Sequence, residues 1–336
     1  MEMRKTILLS ASVVVAMLLA CAVALLAALA SAPGASAASF EHGASFAVRC
    51  DFSHRAQVDP VVSPGGTSAH LHDFFGNKST NANSTYQSMT HVDPNDPNSP
   101  PPATTCSRPE DTGAYWIPTV SWKDKNGLQT LTANRAVFYY RAGGKAYKTV
   151  KPFAKDFRII ADSDVNGARV SWYCGGGASN DDKAGSVTPP TQCSGGVLGL
   201  RIIFPDCVAR NPTTGGQQTD SPTHRTHMAR SKLQTGTRVC PSAYPIPVPT
   251  LTINANFPMP TTSGTVSLSS DQPGDPPGSS IHTDFWNTWD QDAPLNLNPS
   301  DGRSYGGLNA LVEHCINGVP PDQVRPTECR APTATT

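Results

Sequence analysis

Short runs of apolar residues, several alternating with polar ones, recur along most of the chain: SFAVRC (45–50), AYWIPTVSW (114–122), RAVFYY (135–140), FRIIA (157–161), ARVSWYC (168–174), GLRIIF (199–204), TLTINANF (250–257) and TVSLSS (265–270). They are rich in Val, Ile, Thr and aromatic residues and end at Gly, Pro, Asn or Asp, so each predicts a β-strand. Only GGLNALVEHC (306–315) carries helical spacing, with Leu308, Leu311, Val312 and Cys315 along one face. Long polar connections separate these runs at 91–105, 175–190, 209–223 and 270–280. Connections of that length in a compact domain are usually functional or mobile. The pattern therefore predicts a mainly β fold with long loops, β-sandwich-like or α+β, with few short helices. No internal repeat or clean boundary divides it, so residues 38–336 are expected to form a single domain.

The first 37 residues follow a different pattern. Arg4 and Lys5 precede an apolar run from Ile7 to Leu29, and Ala35-Ser36-Ala37 has the small-residue spacing of a cleavage site. Residues 1–37 therefore read as a signal peptide, and the mature protein as secreted or extracellular. The alternatives are an uncleaved membrane anchor and a lipoprotein acceptor at Cys21. The eight residues after Cys21 stay apolar, which argues against the lipoprotein.

Export changes how the cysteines read. Loss of Cys21 leaves eight of the nine, Cys50, Cys106, Cys174, Cys193, Cys207, Cys240, Cys315 and Cys329. An even number in an exported chain predicts up to four disulfides. Proximity suggests pairing Cys174 with Cys193 and Cys207 with Cys240, the other connections staying open. No CxxC pair occurs, which excludes a cysteine zinc ribbon. The 26 basic and 26 acidic residues balance. That balance gives no long-range reason to expect nucleic acid or an anionic membrane as partner. The chain also lacks GxSxG, HExxH, GxxxxGK[ST] and a GxGxxG between strand and helix, so serine-hydrolase, thermolysin-like, P-loop and dinucleotide readings have no support. NKS (77–79) and NST (83–85) match a glycosylation pattern that would put this stretch on the surface.

Candidate chemistry lies in the histidines. His70 and His72 stand two apart, His224 and His227 three apart, and His282 stands two from Asp284. Residues two apart on a strand share a face, and residues three apart on a helical turn do likewise. All six are therefore candidate metal ligands, for zinc or copper, at metal–nitrogen distances of about 2.0–2.1 Å. Each cluster taken singly has a bland alternative: a surface loop for His70 and His72, a solvated turn for His224 and His227, a cap or amide acceptor for Asp284.

Six ordered blocks carry a resemblance: DPVVSPGGTSAHLHDFFGN (59–77), AYWIPTVSW (114–122), GLRIIFPDC (199–207), DSPTHRTHMA (220–229), CPSAYPIPVPTL (240–251) and IHTDFWNTWD (281–290). Together they are similar to the exported actinobacterial and fungal proteins grouped as the domain of unknown function DUF1996, over about residues 41–317. The resemblance implies an exported, disulfide-containing domain, with His70, His72, His224, His227, His282, Asp284, Phe285 and Trp289 in its emphasised segments. It passes on no activity. Fungal relatives with wall- or cellulose-binding modules associate the family with polysaccharide. Three positions depart from the family pattern: Thr223 replaces the acid before His224, Val208 a tryptophan, and Thr288 a glycine. The first removes the neighbouring carboxylate expected to orient His224.

Three readings follow. In the first, the protein is a carbohydrate-active enzyme with a histidine metal centre, Asp284 serving as ligand or base, cleaving wall or plant polysaccharide by hydrolysis or oxidation. Tyr115, Trp116, Trp286 and Trp289 are its candidate sugar-stacking residues, with burial in the core as the competing role. In the second, catalysis is metal-free, with His282 or His72 as acid or base beside Asp284 or Asp73. In the third, the protein binds glycan or metal without catalysis.

Overall fold

The computed structural model describes residues 43–331 apart from positions 94, 97, 163–166, 176–185 and 321–322. The signal-peptide reading of residues 1–37 falls outside these residues, as does most of the 175–190 connection.

Ten strands build two antiparallel five-stranded sheets: β1 (Ser45–Cys50), β2 (Phe52–Ala56), β3 (His72–Gly76), β4 (Ala114–Pro118), β5 (Arg135–Arg141), β6 (Arg158–Asp162), β7 (Arg169–Cys174), β8 (Val197–Ile203), β9 (Thr250–Pro258) and β10 (His282–Trp286). The first sheet runs β1-β5-β9-β8-β7 and the second β2-β3-β4-β10-β6. In a strand, successive side chains take opposite faces, so the register assigns every residue a side. Phe138 and Tyr140 of β5, Ile253 and Phe257 of β9 and Trp172 of β7 lie on the inner face of the first sheet. Phe75, Tyr115, Ile117, Ile159 and Phe285 lie on that of the second. All of these are buried in one hydrophobic cluster. Tyr115 meets Phe138 at 4.0 Å between ring centroids and Phe285 at 5.1 Å. The architecture is a β-sandwich, as the alternating pattern predicts.

On the second sheet a small apolar cluster of Phe74, Trp116, Trp286, Val61 and Met89 is buried outside the sandwich core. It is roofed by the loop after β2 and by α1 (Tyr86–Thr90), a single turn with Thr85 as N-cap. Sequence-predicted strands appear at all eight stretches, the 114–122 stretch splitting into β4 and a separate strand Val120–Asp124. The predicted helix over 306–315 forms as α2 (Leu308–Leu311), continuing into a wider-turned segment, Val312–Asn317.

Four disulfides staple the fold: Cys50–Cys106, Cys174–Cys193, Cys207–Cys240 and Cys315–Cys329. The two suggested by proximity are both present. Among the described residues no helix is long and apolar enough to cross a membrane. The glycosylation expectation fails at Asn77, which is fully buried and donates from Nδ2 to Met89 O at 2.7 Å and Thr112 O at 2.9 Å.

Candidate functional site

The outer face of the second sheet carries the chemistry. Asp284 on β10 is paired in register with Trp116 and Ile160, His282 with Asp162, and Phe74, two residues beyond His72, with Trp116. His72, His282 and Asp284 therefore rise from one face of the sheet, on two strands that flank β4. His70 joins them from the loop before β3. Its Nε2 lies 3.2 Å from His282 Nε2, and its ring centroid 4.3 Å from that of His72. Asp59, on the same loop, completes a second group with His72 and Asp284. In each group the candidate ligand atoms lie within 4.8 Å of one another.

Backbone bonds orient two of the rings. His72 Nδ1 donates to Val58 O at 2.9 Å and His282 Nδ1 to Ser280 O at 3.0 Å. With Nδ1 protonated, each ring keeps Nε2 as a bare lone pair, which is how second partners fix the tautomer of ligating histidines. His72 Nε2 is buried without a hydrogen bond. It is the one nitrogen His72 can offer, and His72 belongs to both groups. Ser280 is itself pinned, because the Asp271 carboxylate accepts from Ser280 N, Ser280 Oγ, Gly278 N and Leu268 N. Asp59 Oδ1 accepts from the amides of Val61 and Val62 at 3.0 and 2.9 Å, which fixes that carboxylate too.

Asp284 is 1% exposed, and neither oxygen has a partner. Burial, with the nearby charge of Asp59, drives its carboxyl well above the usual range, against a smaller opposing pull from Arg225. Burial holds His72 and His282 down at about 3, and His70 below its ordinary value. The imidazoles are therefore neutral and able to ligate over the whole physiological range. Arg225 reaches this face by pairing through Nε with Asp162 and through Nη1 with Thr223 O.

His224 and His227 belong to neither of these two groups. Their segment lies along the edge of β6, where Arg158 N donates to Thr219 O and Ile160 N to His224 O. The predicted helical turn is absent, and His224 takes a left-handed φ of 54°. His224 Nδ1 bonds Asp220 Oδ1 at 2.7 Å, so a carboxylate four residues back serves where Thr223 replaces the adjacent acid. His227 is buried against Phe157, with Nδ1 on Ser221 Oγ at 3.1 Å.

The aromatic candidates are buried and present no ring to a sugar. Tyr115 and Trp289 sit in the sandwich core, both bonded to the Tyr140 hydroxyl. Trp116 and Trp286 are on the outer face but roofed, at 0% and 1% exposure. Asp73 turns inward from His72 to a bidentate pair with Arg55 and a bond from Thr119, so it cannot orient that imidazole. Asp59 and Arg225 were not singled out from sequence; no spacing marks the first, and the second lay unread inside THRTH.

A disulfide-stapled β-sandwich with three histidines and two carboxylates on an outer sheet face is thus the class of molecule this chain forms. Residues 59–289 match the family described as Domain of unknown function (DUF1996), and the chain belongs to it. No curated protein and no solved structure matches the chain.

Proposed function

We propose that the protein binds one zinc or copper(II) ion through His70, His72 and His282, with the Asp284 carboxylate beside His72, and that the loaded centre cleaves a wall or plant polysaccharide outside the cell. The observation that carries the metal reading is Asp284, a buried carboxylate with two unbonded oxygens beside the unbonded Nε2 of His72. A buried charge without a partner is strongly unfavourable, and a cation relieves it. The His70–His282 spacing of 3.2 Å fits as well. Two nitrogens at about 2.0–2.1 Å from one ion in tetrahedral array stand about 3.3 Å apart. Three imidazoles and a carboxylate, without thiolate or thioether, suit zinc or copper(II). Held by three imidazoles, such an ion would keep a position open and would supply a polarised water or oxygen ligand there, and Asp59 is a nearby carboxylate that could take a proton. The polysaccharide part of the reading is supported by the family resemblance and by four disulfides that fit an extracellular compartment.

Metal analysis of the purified mature protein tests the centre. Stoichiometric zinc or copper is expected in the wild type and in His227→Ala. His72→Ala and Asp284→Asn should bind it about 100-fold more weakly or not at all. A protein that neither retains metal nor takes up zinc or copper would refute the proposal. Product release from a panel of wall glycans, abolished by a chelator and by Asp284→Asn, tests the reaction. Asp284 also favours a second reading, because burial keeps its carboxyl protonated beside neutral imidazoles and so makes a proton donor and acceptors without metal. Turnover that survives the chelator selects it.

A further inference from the structure

His224 and His227 lie outside the metal groups, yet their loop is bound down along its length. His224 N donates to Ser221 O at 2.8 Å, Met228 N to Arg225 O at 3.2 Å and Thr226 N to Thr223 Oγ1 at 3.2 Å. The two imidazoles act as struts. His224 Nδ1 reaches Asp220 Oδ1 at 2.7 Å, and His227 Nδ1 pairs with Ser221 Oγ at 3.1 Å while its ring packs on Phe157. The left-handed φ of 54° at His224 is a conformation that persists only where the surroundings impose it.

What the bracing presents is Arg225, the residue after the strained position. Ile160 N, bonded to His224 O at 2.8 Å, sets the loop against the edge of β6. Arg225 Nε then pairs with Asp162, and Nη1 donates to Thr223 O at 3.0 Å. Asp162 is the register partner of His282 on the neighbouring strand, so the guanidinium stands beside the centre, and its charge reaches both His282 and Asp284. Two of its nitrogens are clamped, while Nη2 has no protein partner among the described residues. The Arg225 side chain keeps 27% exposure. His70 and His282 are part-exposed as well, whereas His72 and Asp284 are buried. The accessible side of the centre therefore carries a fixed arginine at its rim.

We infer that Arg225 reads a carboxylate of the substrate, so that the centre takes an acidic polysaccharide, one built with uronate residues, in preference to a neutral one. The inference rests on the centre proposed above as the place of reaction. A guanidinium stays charged and donates in a rigid planar array that matches a carboxylate, and such charge-assisted bonds are about twice as strong as neutral ones. Clamping Nε and Nη1 beforehand spares the substrate the cost of ordering a long side chain. Asp162 offsets part of the arginine's charge, and Asp59 and Asp284 add more of the same sign as the substrate. The anion therefore binds with the divalent ion in place rather than without it. The segment around His224 and His227 thus serves the centre by holding a substrate contact, not by ligation.

Calorimetric titration of the zinc-loaded protein with trigalacturonate tests it, with the methyl ester of that trimer, cellotriose and triglutamate as comparators. The wild type should bind the acid at least about tenfold more tightly than the ester, and more tightly than cellotriose or the equally charged peptide. Arg225→Gln should lose that preference, binding acid and ester alike, with unchanged zinc content. Arg225→Lys, which keeps the charge and the partnership with Asp162 but not the planar array, should retain part of it. His224→Ala, which removes a strut and no contact, should show a smaller loss of the same preference. Equal affinity for acid and ester in zinc-loaded wild type, an acid preference that survives Arg225→Gln and Arg225→Lys, or an equal loss of both ligands in the arginine variants would overturn the inference and leave the metal centre standing. Tighter binding of triglutamate would also overturn it. Failure to take up zinc at all would refute the centre, and this inference with it.

Discussion

At the scale of the residue, the site is a set of groups whose burial disfavours charge. His72 and His282, held at about 3, are neutral in the fold but titrate near 6.5 when unfolded. A depressed folded pKa contributes stability that is fully present above the unfolded value and is lost as pH falls toward the folded one. The metal-free protein should therefore lose stability steadily between about pH 6.5 and pH 3, a fall seen as a declining melting temperature in calorimetry. His72→Phe should flatten that decline. Asp284 works in the opposite sense. Its raised carboxyl favours the fold at low pH and penalises it as pH rises, so Asp284→Asn should raise the metal-free melting temperature at neutral pH while weakening metal binding. His282 and Asp284 were legible because a spacing of two reports a shared strand face, whereas His70 reaches His282 from the loop before β3. Asp59 was not, because a loop residue reaches its partners by a path that has no period.

Two of the three strands that matter most gave no strand signal. β3 reads HDFFG and β10 reads HTDFW. Their outward positions hold imidazole and carboxylate where a structural strand would hold Thr or Val, and their inward positions are covered by the other sheet. Both faces are thus occupied, and the apolar–polar alternation that marked the other runs is lost. The 224–227 segment failed for a related reason: it hydrogen-bonds along the edge of β6, and that pairing overrides the helical reading of its spacing. The 270–280 connection does functional work at this scale, since Asp271 gathers four donors and presents Ser280 O to His282. Asp271→Ala should cost about 2–3 kcal/mol of stability and weaken metal binding about tenfold although every ligand remains. Denaturant melts paired with zinc titration would show it. Unchanged affinity would mean that the loop holds only itself.

For the whole molecule, the disulfides link what the sheets do not. Cys50–Cys106 ties β1 to the long connection before β4, and Cys315–Cys329 ties the helical segment to the stretch that follows it. Removing Cys315–Cys329 as a double serine variant should lower stability by about 2–4 kcal/mol while leaving metal content intact, because that bridge is remote in the chain from every candidate ligand. The β-rich class, the even cysteine count and two of the four pairings were legible in composition and proximity.

The two five-stranded sheets close on one hydrophobic core, and the histidines stand on the far side of the second. His72 and His282 rise from strands paired on both sides, so anything gathered between them would meet walls that barely yield.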